Sequence, residues 1–269
     1  MARSMIKIAI AAKSQSGVPA RDLVVAARKA GVEGVSWCSR FAPPGDKAAA
    51  EALMLDTLRG GLTTVAYEVD GAPLDGDGFR AVIASAEALH APIVVAELPV
   101  ELERRRGLAA RATRALFIEK VRRAGDLLEA GGLTLVFDPT RWRREGDMGE
   151  ALGLAREIAH PSVRLRWEPP ASGGFDELME SMQPFAGWIR QLVARPLGPD
   201  GGYRPLGERA EEWQHWLDFF ERNAGLAGMA HWVVLHDAGA GGPGFGPDAA
   251  WLRQTAAKLA RLRGCRERG

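Results

Sequence analysis

Gly132–Pro139, GLTLVFDP, is the stretch on which the fold turns. Its apolar and β-branched residues follow the glycines at 131 and 132 and stop at a proline, which predicts a short buried strand. The residue before that proline is a carboxylate, Asp138. Two later stretches end in a comparable way. Val163–Pro169, VRLRWEP, closes on Glu168, and His231–Asp237, HWVVLHD, carries His236 near its end. Helical stretches separate the three. If the strands are parallel, their three polar ends arrive at one rim.

The pattern extends outward in both directions. Ile6–Ala11 predicts a first strand, 32–38 a second, 62–69 a third and 92–98 a fourth that ends near Glu97. Residues 187–195, GWIRQLVAR, give the seventh. Between these runs the apolar residues recur at helical spacing. The helices are expected within 17–31, 45–61, 75–90, 101–130, 147–159, 175–182 and 210–223, with a last one over 247–263. Strict alternation of strand and helix predicts a parallel sheet. Eight such units in 269 residues match a (β/α)8 TIM barrel, read as a single domain over 1–269. The competing open sheet would carry a GxGxxG turn after the first strand, and AAKSQSGVPARD has none.

Composition narrows the function classes. The net charge is +1, which offers no strong field to nucleic acid or an anionic membrane. No apolar run reaches the ~20 residues that span a bilayer. Two cysteines, Cys38 and Cys265, lie far apart, which makes neither a disulfide framework nor a zinc pattern and suits the cytoplasm. The basic run at 104–106 reads as a solvated helix face.

Barrel enzymes of this class work at the ends of their strands. Side chains alternate along a strand, so Thr134, Val136 and Asp138 share one face, as do Arg164, Arg166 and Glu168. Trp232, Val234 and His236 share a third. The apolar set Val163, Leu165 and Trp167 should meet the helices, which turns both arginines and Glu168 inward. A buried arginine needs a partner, and Asp138 or Glu168 is the expected one for Arg166. Asp138, Glu168 and His236 together make a donor set suited to Mn, Mg or Zn. Such an ion polarises a carbonyl or hydroxyl, and a neighbouring acid or base moves the proton. Glu97, Tyr67 and Glu68 are further polar groups near the same rim, and the glycine-rich loop at 239–246 is a weak candidate phosphate cradle.

Several of these runs resemble the xylose isomerase-like barrels, the sugar phosphate isomerase/epimerase group that includes the endonuclease IV type. The runs are KAGVEGVSW, EAGGLTLVFDP, RWEPP, IRQLVAR with PLGER, and AHWVVLHD, and together they cover nearly the whole chain. The resemblance implies one divalent metal held by four residues from strands five to eight. Those positions fall on Asp138, Glu168, Gln191 or Val193, and His236, each changed from the family residue. The second-unit acid falls on Ser36 and a strand-seven lysine on Arg195. The resemblance implies a sugar, sugar phosphate or polyol isomerase or epimerase. Asp138 and His236 are then the acid/base pair and the metal ligands with Glu168. Arg166, Arg195, Gln191 and Glu97 are the substrate-binding residues. The partner is a small sugar-like molecule, with neither nucleic acid nor membrane, and a homo-oligomer is compatible with the sequence. The changed quartet supports the alternative of a metal-free barrel that serves as a ligand-binding or partner subunit.

Overall fold

The computed structural model describes residues 6–15, 17–71, 74–96, 107–137, 148–169, 176, 179–180, 183–198, 200, 202–223, 231–237 and 244–266. Eight strands close into a parallel barrel in chain order. They are β1 (Ile6–Ala11), β2 (Gly34–Cys38), β3 (Thr63–Val69), β4 (Ile93–Ala96), β5 (Thr134–Phe137), β6 (Val163–Trp167), β7 (Ile189–Ala194) and β8 (His231–Leu235). Seven α-helices lie among the described residues: α1 (Ala20–Ala30), α2 (Lys47–Arg59), α3 (Gly76–Ala88), α4 (Gly107–Ala130), α5 (Met148–Ile158), α6 (Ala210–Asn223) and α7 (Gly246–Arg266). Of the helix expected over 175–182, the described residues Asp176, Met179 and Glu180 are helical. The architecture is the (β/α)8 barrel that the alternation predicts. No helix among the described residues is long and apolar enough to cross a membrane.

The chain divides into two compact units. The first holds Met1–Ser36, Asp56–Thr63 and Glu168–Gly269. Within it β1 lies between β2 and β8, and Ile6 through Ile10 stand opposite His231 through Leu235. On the other side of β8, Gln191 stands opposite Trp232 and Ala194 opposite Leu235. The His236 N–H donates to the Ala194 carbonyl at 2.8 Å, so the ladder continues one rung past the last strand residues. The second unit holds Trp37–Leu55 and Thr64–Trp167. There β3, β4, β5 and β6 pair in sequence, with Glu68 beside Val95, Val95 beside Val136, and Val136 beside Arg164.

The local causes are plain in the sequence. In α6, Trp213, Trp216, Leu217 and Phe220 recur at one helical face and are buried. Glu211 and Glu212 sit in its first turn and Arg222 in its last, which complements the helix dipole. In α1, Leu23, Val24 and Ala27 form the buried face. Gly31 ends that helix at φ 69°, where its N–H donates to the Arg28 carbonyl at 3.0 Å. Strand β2 begins at Gly34 rather than at 32, because the Glu33 carboxylate turns to accept the Ile8 N–H at 2.9 Å.

Candidate active site

Which face of each strand looks inward follows from ring packing. The His231 imidazole lies edge-on to Phe220 of α6, with centroids 5.6 Å apart, so His231, Val233 and Leu235 face the helices. Trp232, Val234 and His236 therefore face the barrel interior, as their alternation predicts. Residues beside one another in a parallel ladder share a face. Gln191, Val193 and Arg195 thus line the interior next to Trp232, Val234 and His236. On the other flank stand Lys7, Ala9 and Ala11.

These residues form levels. The top level, at the C-terminal end of the strands, contains Ala11 and Ser36, which are register partners, together with His236 and Arg195. His236 is 5 % exposed. Arg195 meets Glu168 in a fork. Its Nε lies 2.7 Å from Glu168 Oε1, off the line of the N–H, and its Nη2 donates to Oε2 at 3.2 Å. The two side chains are 37 % and 25 % exposed, so the pair is worth at most about 1 kcal/mol of stability. Its consequence is geometric: a planar guanidinium is oriented at the ladder level of His236. Two residues assigned separate roles from the sequence, Glu168 as ligand and Arg195 as substrate grip, are partners of each other.

In the second unit Arg166 is buried, as expected. The carboxylate that the structure places on it is Glu68, with Nη1 donating to Oε2 at 3.2 Å and side chains 7 % and 4 % exposed. The sequence expectation names Asp138 or Glu168 for this partnership; Asp138 lies outside the described residues, and Glu68 is a partner that expectation does not include. Glu68 and Arg166 sit on strands separated by β4 and β5, and only a long side chain reaches over that gap. No sequence spacing reports it. With both charges buried in one ion pair, Arg166 braces the interior.

The remaining site residues are placed as follows. Asp138 and Glu97, and residues 239–243 of the glycine-rich loop, lie outside the described residues. Gln191 stands two levels below Arg195, beside Trp232 and Lys7, at 2 % exposure. Its Nε2 makes no hydrogen bond. Of the strand-seven residues, Arg195 is the one level with His236.

Two groupings were not legible beforehand. Tyr203, in the loop after β7, donates from its hydroxyl to Asp248 Oδ2 at 3.1 Å, and Asp248 Oδ1 accepts the Leu206 N–H at 2.8 Å. Burial pushes the Asp248 carboxyl up, with the Asp237 charge adding to the effect. Burial also pushes the Tyr203 phenol up to about 12, helped by Asp248. Nearby, Asp237 Oδ2 accepts Gln15 Nε2 at 2.8 Å, and the Asp237 N–H donates to Ser14 Oγ at 3.0 Å, which ties the turn after β1 to the end of β8. In the second unit, Asp126, Glu129 and His160 bring ligand-type atoms within 4.8 Å of one another. His160 Nδ1 accepts the Ser162 N–H at 3.1 Å, which puts the ring proton on Nε2, 3.1 Å from Asp126 Oδ1. A protonated Nε2 has no lone pair for a metal, so the trio reads as a hydrogen-bonded histidine.

No protein-family model matches the chain, and no curated protein matches it. Solved structures do. The chain is similar to the AP endonuclease, family 2, from Brucella melitensis, at 20% identity and a TM-score of 0.62, over 96% of this chain and 99% of that one. It is similar to a xylose isomerase-like TIM barrel protein from Mycobacterium smegmatis in complex with magnesium, at 15% identity and TM-score 0.61, over 91% and 90%. It is also similar to a D-psicose 3-epimerase from Clostridium cellulolyticum H10 with D-tagatose, at 12% identity and TM-score 0.60, over 95% and 96%. The chain thus has the xylose isomerase-like barrel fold, as the sequence resemblance implies.

A magnesium-type site needs carboxylate oxygens free to reach the ion. Of the three metal ligands named from the sequence, Glu168 and His236 are the ones among the described residues. Both oxygens of Glu168 face a guanidinium. That donor set does not fit a divalent cation.

Proposed function

We propose that the chain is a sugar or polyol isomerase or epimerase that moves a proton by acid/base chemistry at the C-terminal rim. The fold and its solved neighbours, among them a sugar epimerase, support a sugar-modifying enzyme in general terms. The observation that carries the finer reading is the imidazole of His236 standing level with an oriented guanidinium.

In this reading His236 removes the proton on the carbon beside a substrate carbonyl. Negative charge develops on the carbonyl oxygen, and the N–H groups of Arg195 that Glu168 leaves over receive it. Asp138, assigned from the sequence, returns a proton to the other face or to the neighbouring carbon. Glu168 orients Arg195. Arg166 braces the interior with Glu68. Glu97 and Gln191 remain sequence-based candidates for substrate contact. No step passes through a metal. The partner is a small sugar-like molecule rather than nucleic acid or membrane, in the cytoplasm, where the buried free thiol of Cys38 stays reduced. A homo-oligomer is compatible with this reading.

The test is solvent exchange. Ketoses and their aldose partners are incubated with the protein in deuterated water and followed by proton NMR. Deuterium should enter at the carbon beside the carbonyl. His236→Gln should slow that exchange roughly 100- to 10,000-fold. If no sugar exchanges or interconverts, the enzyme reading fails. Saturable sugar binding without exchange would then favour the second reading, a ligand-binding barrel, which the same Glu168–Arg195 pair supports.

A further inference from the structure

We infer that Arg195 takes the place of a divalent cation at this rim, so that the site is closed to metal by an ion pair built into the chain. The inference concerns what Glu168 holds. It does not depend on which reaction, if any, the rim carries out.

The positions lie in one compact unit, and each carries part of the argument. Arg195 and His236 share the top level of β7 and β8, because the His236 N–H extends the ladder to the Ala194 carbonyl at 2.8 Å. Glu168 follows β6 directly. Its two oxygens lie 2.7 Å and 3.2 Å from Nε and Nη2 of Arg195. A carboxylate whose two oxygens both face a guanidinium, one of them hydrogen-bonded to it, already has its countercharge in place. An ion that took Glu168 would have to break that fork. It would also leave a second positive charge beside itself, at short range and in a partly buried place.

Level by level, the interior of β7 and β8 offers little else to a hard cation. Below Arg195 and His236 stand Val193 and Val234, then Gln191 and Trp232. Gln191 is a neutral amide whose Nε2 makes no hydrogen bond, so it brings no carboxylate charge to a cation. What remains open are the N–H donors of Arg195 that Glu168 does not use. They suit an oxygen-rich neutral or anionic ligand.

Ion binding decides the matter without an activity assay. Mn²⁺, Mg²⁺ and Zn²⁺ are titrated by calorimetry into the full chain and into Arg195→Met and Glu168→Gln, with thermal unfolding of each variant as a check on folding. Wild type should show no saturable binding of any of the three. Arg195→Met removes the guanidinium from Glu168 and should bind Mn²⁺ at least tenfold more tightly than wild type. The double variant Arg195→Met/Glu168→Gln should lose that gain. One ion bound per chain in wild type, removed by Glu168→Gln, would overturn the inference. So would equal absence of binding in wild type and Arg195→Met, because Arg195 would then not be what keeps the ion out. A failed sugar-exchange assay leaves these outcomes unchanged.

Discussion

Glu68 and Arg166 are nearly sealed from solvent, and each depends on the other. Removing one strips the other of this buried ion-pair contact. Arg166→Met or Glu68→Gln should therefore cost about 3–5 kcal/mol of unfolding free energy, read from urea denaturation. The double replacement Glu68→Leu/Arg166→Met should recover most of that loss. Additive losses in the double variant would mean that the two charges do not depend on each other. Tyr67 makes a second residue-scale case. Its side chain is fully buried, its hydroxyl donates to the Ala42 carbonyl at 2.6 Å, and burial pushes the phenol up to about 12 from 10.0. A raised folded value means that this residue's contribution is complete below its unfolded value and is lost as pH climbs through the folded one. Tyr67→Phe should be less stable than wild type at neutral pH, and the difference should shrink between 10.0 and about 12. At this scale the sequence was partly legible. Alternation along β8 placed His236 on the inward face, and an inward Arg166 with an acidic partner was readable. The identity of that partner was not, because it is set by reach between distant strands. Nor was the pairing of Glu168 with Arg195, 27 positions apart, since periodicity reports faces and not partners.

Elements followed the sequence wherever a strong period met a clear stop. Helix α6 spans 210–223 in both readings, since its buried aromatics keep one face throughout. Strand β7 is shorter than 187–195 at both ends, because Gln183–Trp188 winds into a 3-10 turn before it and Ala194 ends it before Pro196. Strand β4 is described over Ile93–Ala96, and Glu97 lies outside the described residues. Helix α4 holds a glycine whose purpose only packing reveals. A Cβ on Gly125 would come within 2.5 Å of His160 Nδ1. By helix propensity alone, alanine there would add about 1 kcal/mol. The contact reverses the sign. Gly125→Ala should destabilise, and Gly125→Ala/His160→Ala should be more stable than Gly125→Ala alone, measured by thermal unfolding. The tie between the loop after β7 and the start of α7 gives a pH test. Asp248 has a raised carboxyl, so its favourable contribution belongs to low pH and fades as pH rises through the raised value. Asp248→Asn keeps an acceptor for Leu206 and a polar contact for Tyr203. Its stability relative to wild type should improve as pH rises above 3.8, the ordinary value of the carboxyl, seen as a shift in urea midpoints. A difference that stays constant or narrows would contradict the raised carboxyl.

The whole barrel was legible because its evidence is cumulative. No single run proves a parallel strand, yet repeated alternation with short connections leaves few other architectures. What closes the ring is the seam between the first and last strands, where Ile6 to Ile10 pair with His231 to Leu235. A chain ending at residue 230 would lose that seam and expose two unpaired strand edges, β1 and β7. It should fail to unfold cooperatively and should aggregate, as shown by light scattering and dye binding. A truncated chain that stays monomeric with a sharp unfolding transition would show that closure contributes little.

That seam bears on where the polypeptide can begin. Helix α7 packs on β1 and α1, and the Arg253 guanidinium donates to the Ala30 carbonyl at 3.0 Å, so the last helix runs alongside the opening strand. The order of synthesis is therefore separable from the order of pairing. A circular permutant that joins residues 1 and 269 with a glycine–serine linker, and opens the chain in the exposed turn at Gly71, should retain the fold with a modestly lower melting temperature.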